Sequence, residues 1–414
     1  MNRLTPLAAV LAATTALAGV VQAQELRMTI WSANEAHLAV FNEIADSFTA
    51  DRPEVSVTFE SLPFASYTTT LTTQIAGGNP PDLAWILERT AADFVNSGIL
   101  APLNEAFTSA EGFDYGDMIE KPTDLWRVDG ELYAVPFSTS PLAIFANTDL
   151  IEAAGARTPA ELIEAGEWTW ENAMATAAKV AEGDKDGIIV RDFNYQTWQN
   201  LAAIWRGWGA EPWSADGDTC TFAAPEMVEA MTFLHDAIFQ DGALPGPGES
   251  VDFFAGDAAM SITQISRASL LPKGDEAFAW DLVPLPAGPA GEYSVIGQAA
   301  IGVFQDSPNA DLAVDFLAHM TNPDNSAKLA QFFPPIRQSL LNAETLGATN
   351  PLLTPEMIEA VVVQGIAKGE VLPVHEGYSE IQQLVRAELD ALWQPEANVE
   401  EVLGAVCQSI QPLL

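Results

Sequence analysis

Glu88 and Arg89 stand side by side where a short apolar run, LAWIL, gives way to a helical pattern beginning AADF. A carboxylate accepts and a guanidinium donates hydrogen bonds, so together they can hold the hydroxyls of a small polar molecule. The end of a strand, just before a helix, is where an open α/β sheet exposes such groups. A second chemistry is open to carboxylates. A pair such as Glu35 and Glu88 could act as acid and base on a glycosidic bond. Independent signs of catalysis are missing: the chain has no HExxH, no G-x-S-x-G and no Cys/His pairing with local support. The run DKDG at 184–187 lacks the bidentate Glu of a calcium loop and reads as a turn, so neither metal nor cofactor is expected.

Aromatic chemistry gathers between Tyr195 and Trp213, where Trp198, Trp205 and Trp208 also fall. An indole face suits the C–H surface of a sugar ring, and its N–H can reach a hydroxyl. Trp198 and Trp205 are also spaced as a helical core stripe would be, so both readings stand for them.

The elements that must position these residues alternate. Residues 26–31 read as a strand and 38–49 as an amphipathic helix with Val40, Phe41, Ile44, Ala45 and Phe48 on one face. Arg52 and Pro53 end it, and 55–59 alternates as the next strand. A helix over 67–75, a Gly-Gly-Asn-Pro-Pro turn and a strand over 83–87 follow, the order of a parallel α/β sheet. Strands are predicted at 133–137 and 142–146, interrupted by Ser138-Thr139-Ser140-Pro141, and helices at 160–165 and 169–181, the latter opened by a Thr169 cap.

The N-terminus sets the compartment. Residues 1–23 carry Arg3, an apolar run from Leu7 to Val21, and small residues at Val21 and Ala23, the pattern of a Sec-type signal peptide. The apolar run is short for a membrane span, and no cysteine follows the cleavage site, so a periplasmic protein without a lipid anchor is expected. The remaining length suits two domains. With 57 acidic against 17 basic residues, a net charge of −40, nucleic acid and anionic lipid are set aside as partners. The two cysteines, Cys220 and Cys407, either pair as a disulfide, the favoured reading in an oxidising compartment, or stay as separate buried thiols.

Seven segments in order resemble the extracellular solute-binding proteins of ABC importers, the sugar-binding family that includes maltose-binding protein. They are TIWSANEAHLAVFNEIADSFTADRPEVSV, AGGNPPDLAWI with its SGILAPL, LYAVPFSTSPLAIFANTDLIEAAG, EWTWENAMATAAKVA, FFAGDAAMSI, the stretch from VPLPAGPAGEYSVIG to NPDNSAKLA, and FFPPIRQSLL. The resemblance covers nearly all of the chain after residue 23. It implies an α/β fold of two lobes joined by hinge strands around an interlobe ligand cleft. The N-lobe would hold residues 24–139 plus 298–345, and the C-lobe 140–297 plus 346–414. A monomer is expected to close around a carbohydrate and deliver it to a membrane permease for uptake. A sulfonated sugar or sugar phosphate is the alternative ligand, and a glycoside hydrolase or a chemoreceptor-coupled sensor the more distant role.

By the same resemblance the cleft wall takes Asn34, Glu35 and His37 after the first strand, Ser66 after the second, Glu88 and Arg89 after the third, and Ser138 at the first crossing. The C-lobe would add Tyr195 and Trp198, then Gln264, Ser266 and Arg267. Relatives often carry Gly-Trp in this last loop, where this chain has Gln264-Ile265-Ser266, so a stacking platform is missing there or moved to Trp280. Gln298 and Arg337 complete the set, and His375 and Tyr378 are further candidates. Arg89, Arg267, Arg337 and His37 are the groups that would converge on an oxyanion, which a guanidinium grips through two bonds.

Overall fold

The computed structural model describes residues 24–191, 193, 195–349 and 352–414, except the side chain of Thr349; the signal-peptide reading of 1–23 lies outside the described residues. Strands form at β1 (Gln24–Ile30), β2 (Val55–Ser61), β3 (Leu83–Leu87), β4 (Arg127–Val128), β5 (Glu131–Leu132), β6 (Ala134–Asn147), β7 (Asp186–Val190), β8 (Ala258–Gln264), β9 (Trp280–Val283), β10 (Val295–Val303) and β11 (Glu370–Val371). Nine of them make one sheet in the order β2-β1-β3-β10-β6-β8-β7, with β11 beside β10 and β9 beside β6.

The early alternation of strand and helix is present, and β1 runs parallel to β2 and β3. The sheet as a whole is mixed: β10 is antiparallel to β3 and β6, and β6 to β8 and β9. The two separate strands expected at 133–137 and 142–146 are one, β6, which passes through Ser138 to Pro141 without a break. Pro141 lacks an N–H, but it sits where β6 leaves its pairing with β10 and takes up β8, so little of the ladder is lost.

β6 and β10 run from one hydrophobic core into another, which makes them hinge strands. The first core gathers Leu26, Met28 and Ile30 with Phe41, Trp85, Phe137 and Phe316. The second gathers Ile144, Trp170, Trp198, Trp205, Met231 and Leu403. A third cluster, Phe145, Phe253, Ile265, Ile358 and Val362, covers the other face of the second lobe's strands.

Helix ends follow local chemistry. α1 (Glu35–Thr49) is capped by the Asn34 side chain, which accepts from the Ala36 and His37 N–H groups, and it buries His37, Phe41, Ile44, Ala45 and Phe48 on one face. The helix Trp170–Ala181 starts at the expected Thr169 cap. Cys220 and Cys407 are joined as a disulfide, which ties the loop after Trp213 to the helix Val399–Ile410.

Candidate functional site

The N-lobe half of the site is made where β1 and β3 end. β3 is buried throughout, and its chain turns out of the sheet at Glu88. The Glu88 side chain is 4% exposed, and its Oε2 accepts from the Gln298 N–H at 3.2 Å. Burial pushes the Glu88 carboxyl above its ordinary range, against the opposing pull of the Arg89 charge. Arg89 lies over Phe64, its guanidinium carbon 5.6 Å from the ring centroid. His37 is 8% exposed and packs against Phe332 and Phe333, with ring centroids 4.5 and 4.9 Å away. Its Nδ1 is 2.8 Å from Ser32 Oγ, while the buried Nε2 has no hydrogen-bond partner among the described residues.

The C-lobe closes on these groups. The turn that carries Arg267 touches the N-lobe, Ser269 Oγ accepting from Asn34 Nδ2 at 3.3 Å, and burial first, then the Arg267 charge, hold the His37 imidazole down to about 4. Tyr378 is fully buried, its hydroxyl has no hydrogen-bond partner among the described residues, and the charges it senses are Arg89 and Glu88 of the other lobe. Burial drives that phenol well above its ordinary value.

Arg267 also stands on the wall of a cavity of about 1170 Å³. Tyr195, Phe193, Phe254 and Trp393 give it aromatic surface, and Arg191, Arg267, Arg386, Glu249, Asp252 and Asp390 also line it. Tyr195 is held by a left-handed backbone (φ 55°) and by its hydroxyl's bond to Pro245 O. Arg191 Nη1 donates to Gln264 Oε1 at 2.7 Å, which brings Gln264 beside the same wall.

Of the residues named from the sequence, Asn34, His37, Glu88, Arg89, Tyr195, Gln264 and Arg267 thus lie along the lobe boundary or this cavity. Ser266 sits in the same turn as Arg267, its carbonyl accepting from Ser269 Oγ. Ser138 is on the β6 crossing, opposite Ala299. Glu35 and Ser66 are exposed at helix starts.

Others are placed inside the fold. Trp198 is 1% exposed and stacks among Trp205, Trp213, Phe222 and Tyr378; the core reading of its spacing holds. Trp280 pairs with Asn147 and leans on Phe145. That is six residues along β6 from Pro141, about 20 Å from the crossing at ~3.3 Å per residue, so it cannot replace a platform at the cleft. Gln298 is 2% exposed, accepts from Trp126 Nε1 and donates to Pro122 O and Thr139 Oγ1; its amide is used in holding the hinge. Arg337 is 2% exposed and donates to Thr321 O, Ser326 Oγ and Asp114 O, with Asp117 beside it, so its guanidinium serves the N-lobe interior rather than an anion.

Trp393, Arg191 and Arg386 line the cavity without belonging to any motif of the sequence. Arg191 directly follows β7 and could have been found as a charged residue at a strand end. Trp393 and Arg386 come from the far C-terminus, and no local pattern marks them.

The profile of the bacterial extracellular solute-binding proteins matches residues 32–327. The chain belongs to that family. A Brucella abortus protein described as a binding protein is 28% identical to this solute-binding protein over 330 residues, 76% of each chain. The lactose-binding protein of Rhizobium radiobacter is 23% identical over 322 residues, 75% of this chain and 72% of its own. Among solved structures, the ABC substrate-binding protein of Listeria monocytogenes in complex with cycloalternan superposes with a TM-score of 0.81 at 24% identity, covering 94% of this chain and 99% of its own. The maltose-bound MalE3 of T. maritima gives 0.79 at 20% identity, over 95% and 100%. These likenesses establish the two-lobed fold; the residues of the cleft are this chain's own.

Proposed function

We propose that this solute-binding protein captures a neutral carbohydrate between its lobes, 24–139 with 298–345 and 140–297 with 346–414, and delivers it from the periplasm to a membrane ABC permease. The observation that carries the reading is the balance of the C-lobe cavity wall, which meets the lobe boundary at the turn bearing Arg267 and Ser269 and is lined by three arginines, three carboxylates and aromatic rings. An anion would meet as much repulsion as attraction there. A polyhydroxylated neutral molecule can accept from the guanidinium groups, donate to the carboxylates, and lay its C–H faces on Tyr195 and Trp393. The lactose name of the Rhizobium relative and the sugar ligands of the structural neighbours support the same class.

Thermal unfolding of the mature protein with maltose, lactose, maltotriose, glucuronate and glucose 6-phosphate tests it. A ligand at 100-fold over its Kd adds about 2.7 kcal/mol to the native state, a clear rise in Tm. Stabilisation by a neutral sugar is the expected result. Stabilisation by the anionic sugars alone would overturn the neutral reading, and the arginines would then be its binding groups.

A further inference from the structure

The hairpin over residues 212–221 is held largely from outside itself. Its own ladder is short: Trp213 bridges Cys220, the Ser214 N–H donates to Thr219 O at 2.8 Å, and the Thr221 N–H donates to Pro212 O at 3.0 Å. Further support comes from the far end of the chain. Cys220 is joined to Cys407, and the Gln411 amide takes two backbone groups at once, Oε1 accepting from the Cys220 N–H at 3.0 Å and Nε2 donating to Asp218 O at 2.7 Å. Cys407 lies in the helix Val399–Ile410 and Gln411 follows it directly. Leu403, Val406 and Ile410 seat that helix in the C-lobe core.

The hairpin carries a contact in turn. Gly217, at its tip, has a left-handed backbone (φ 82°) and places its carbonyl oxygen 3.2 Å from His375 Nε2. The Trp213 ring meets the same imidazole edge to face, centroids 5.3 Å apart. A Cβ at Gly217 would come within 3.3 Å of Nε2, so the approach is close. His375 belongs to the link 373–377 between Leu372, whose N–H donates to Ile296 O, and Tyr378, whose hydroxyl lies in the field of Glu88 and Arg89. Among the described residues, the contact with Gly217 is the link's one hydrogen bond to any C-lobe element outside the helix it leads into. We propose that the Cys220–Cys407 disulfide is a positioning clamp for the ligand site, fixing the hairpin so that its tip orders the link and sets where the Tyr378 hydroxyl stands. The effect on binding rests on the carbohydrate reading above; the order of the link does not. A dithiol opens the clamp by exchange: the S–S bond breaks, Cys220 and Cys407 become thiols, and the dithiol closes into its own disulfide.

Hydrogen exchange of the full mature chain, with no sugar present, compares the parent with Cys220→Ser/Cys407→Ser, with the parent reduced by dithiothreitol, and with His375→Ala, in which the disulfide is intact. Amides of β3 report global unfolding and serve as the reference. Relative to them, exchange at 374–377 is expected to rise roughly tenfold in each case, the loss of one part-buried hydrogen bond with its ring contact. Adding His375→Ala to the cysteine pair should change little more, because both act through one contact. Unchanged exchange at 374–377 in the cysteine variant or in His375→Ala, or fully additive effects, would overturn the proposal even where 212–221 itself loosens. Calorimetry with lactose and maltose is the second readout. A sugar that the parent binds should bind the cysteine variant roughly tenfold more weakly, and equal affinity would overturn the link to the ligand site. A parent that binds neither sugar counts against the carbohydrate reading, and the exchange result still decides the clamp.

Discussion

Part of this protein's destabilisation in acid should run through His37. The imidazole is 8% exposed, wedged between Phe332 and Phe333, and faces the Arg267 charge from the other lobe. Burial chiefly, and Arg267 second, lower it from 6.5 to about 4. The folded value lies below the unfolded one, so between pH 6.5 and 4 the unfolded chain binds more protons, and stability rises with pH across that window. The contribution is fully present above pH 6.5 and is lost as pH falls through 4, an amplitude of roughly 3 kcal/mol. Urea midpoints of the parent and of His37→Gln, taken from pH 7.5 to 3.5, isolate it, because the titration of the many carboxylates cancels in the difference. The parent should lose its margin over the variant as the pH drops. Parallel curves would refute the placement of a neutral His37 at the closed boundary. Arg267→Ala should move the His37 titration, followed by NMR, back toward 6.5, provided the lobes are together.

Glu88 has the opposite sign. Its folded value is raised, so the stability linked to its protonated form is full below the unfolded carboxyl value and is lost as pH rises through the folded one. Glu88→Gln should therefore be more stable than the parent at pH 7.5 and converge with it in acid, read from the same urea series. Trp198→Ala should cost 3–5 kcal/mol of stability by opening a cavity among Trp205, Trp213 and Phe222, measured by denaturant unfolding; a loss of ligand affinity at unchanged stability would reverse the core assignment. Cys220 and Cys407 lie 187 residues apart, so Cys220→Ser with Cys407→Ser should lower stability by up to about 5 kcal/mol on the loop-entropy relation, checked against the reduced parent.

The fold was readable where a segment's pattern had one solution. LAWIL is apolar at every position and becomes the wholly buried β3; Phe41, Ile44 and Phe48 recur at helical spacing and line the buried face of α1. The hinge was harder to read. Pro141 signals a break, and only the exchange of partners from β10 to β8 shows why the strand continues through it. Resemblance located the turns around the cleft but could not say which polar side chains the fold itself consumes. Gln298 and Arg337 look like ligand donors in a sequence, yet each is surrounded by buried carbonyls that must be satisfied, and a buried acceptor left unpaired costs about 1–3 kcal/mol. Trp393 and Arg386 reach the cavity from a helix and turn close to the chain's end, a juxtaposition that only tertiary structure creates.

The charge pattern of the site sets it apart from the rest of the molecule. The chain carries a net charge of −40, yet the cavity wall opposes three arginines with three carboxylates. At the boundary itself the shifts favour the uncharged forms, with the Glu88 carboxyl raised and the His37 imidazole depressed. A strongly acidic protein that keeps this cavity near electroneutrality avoids presenting a repulsive field to an anion and an attractive one to every cation in solution. Selection then falls to hydrogen-bond geometry and aromatic contact, which suits an uncharged, hydroxyl-rich ligand and makes the Tyr378 hydroxyl, buried within the field of Glu88 and Arg89 and without a partner among the described residues, the next group to probe. Tyr378→Phe should leave stability within about 1 kcal/mol of the parent and weaken binding of a stabilising sugar roughly tenfold, measured by calorimetry. Unchanged affinity would place the hydroxyl outside the ligand's reach.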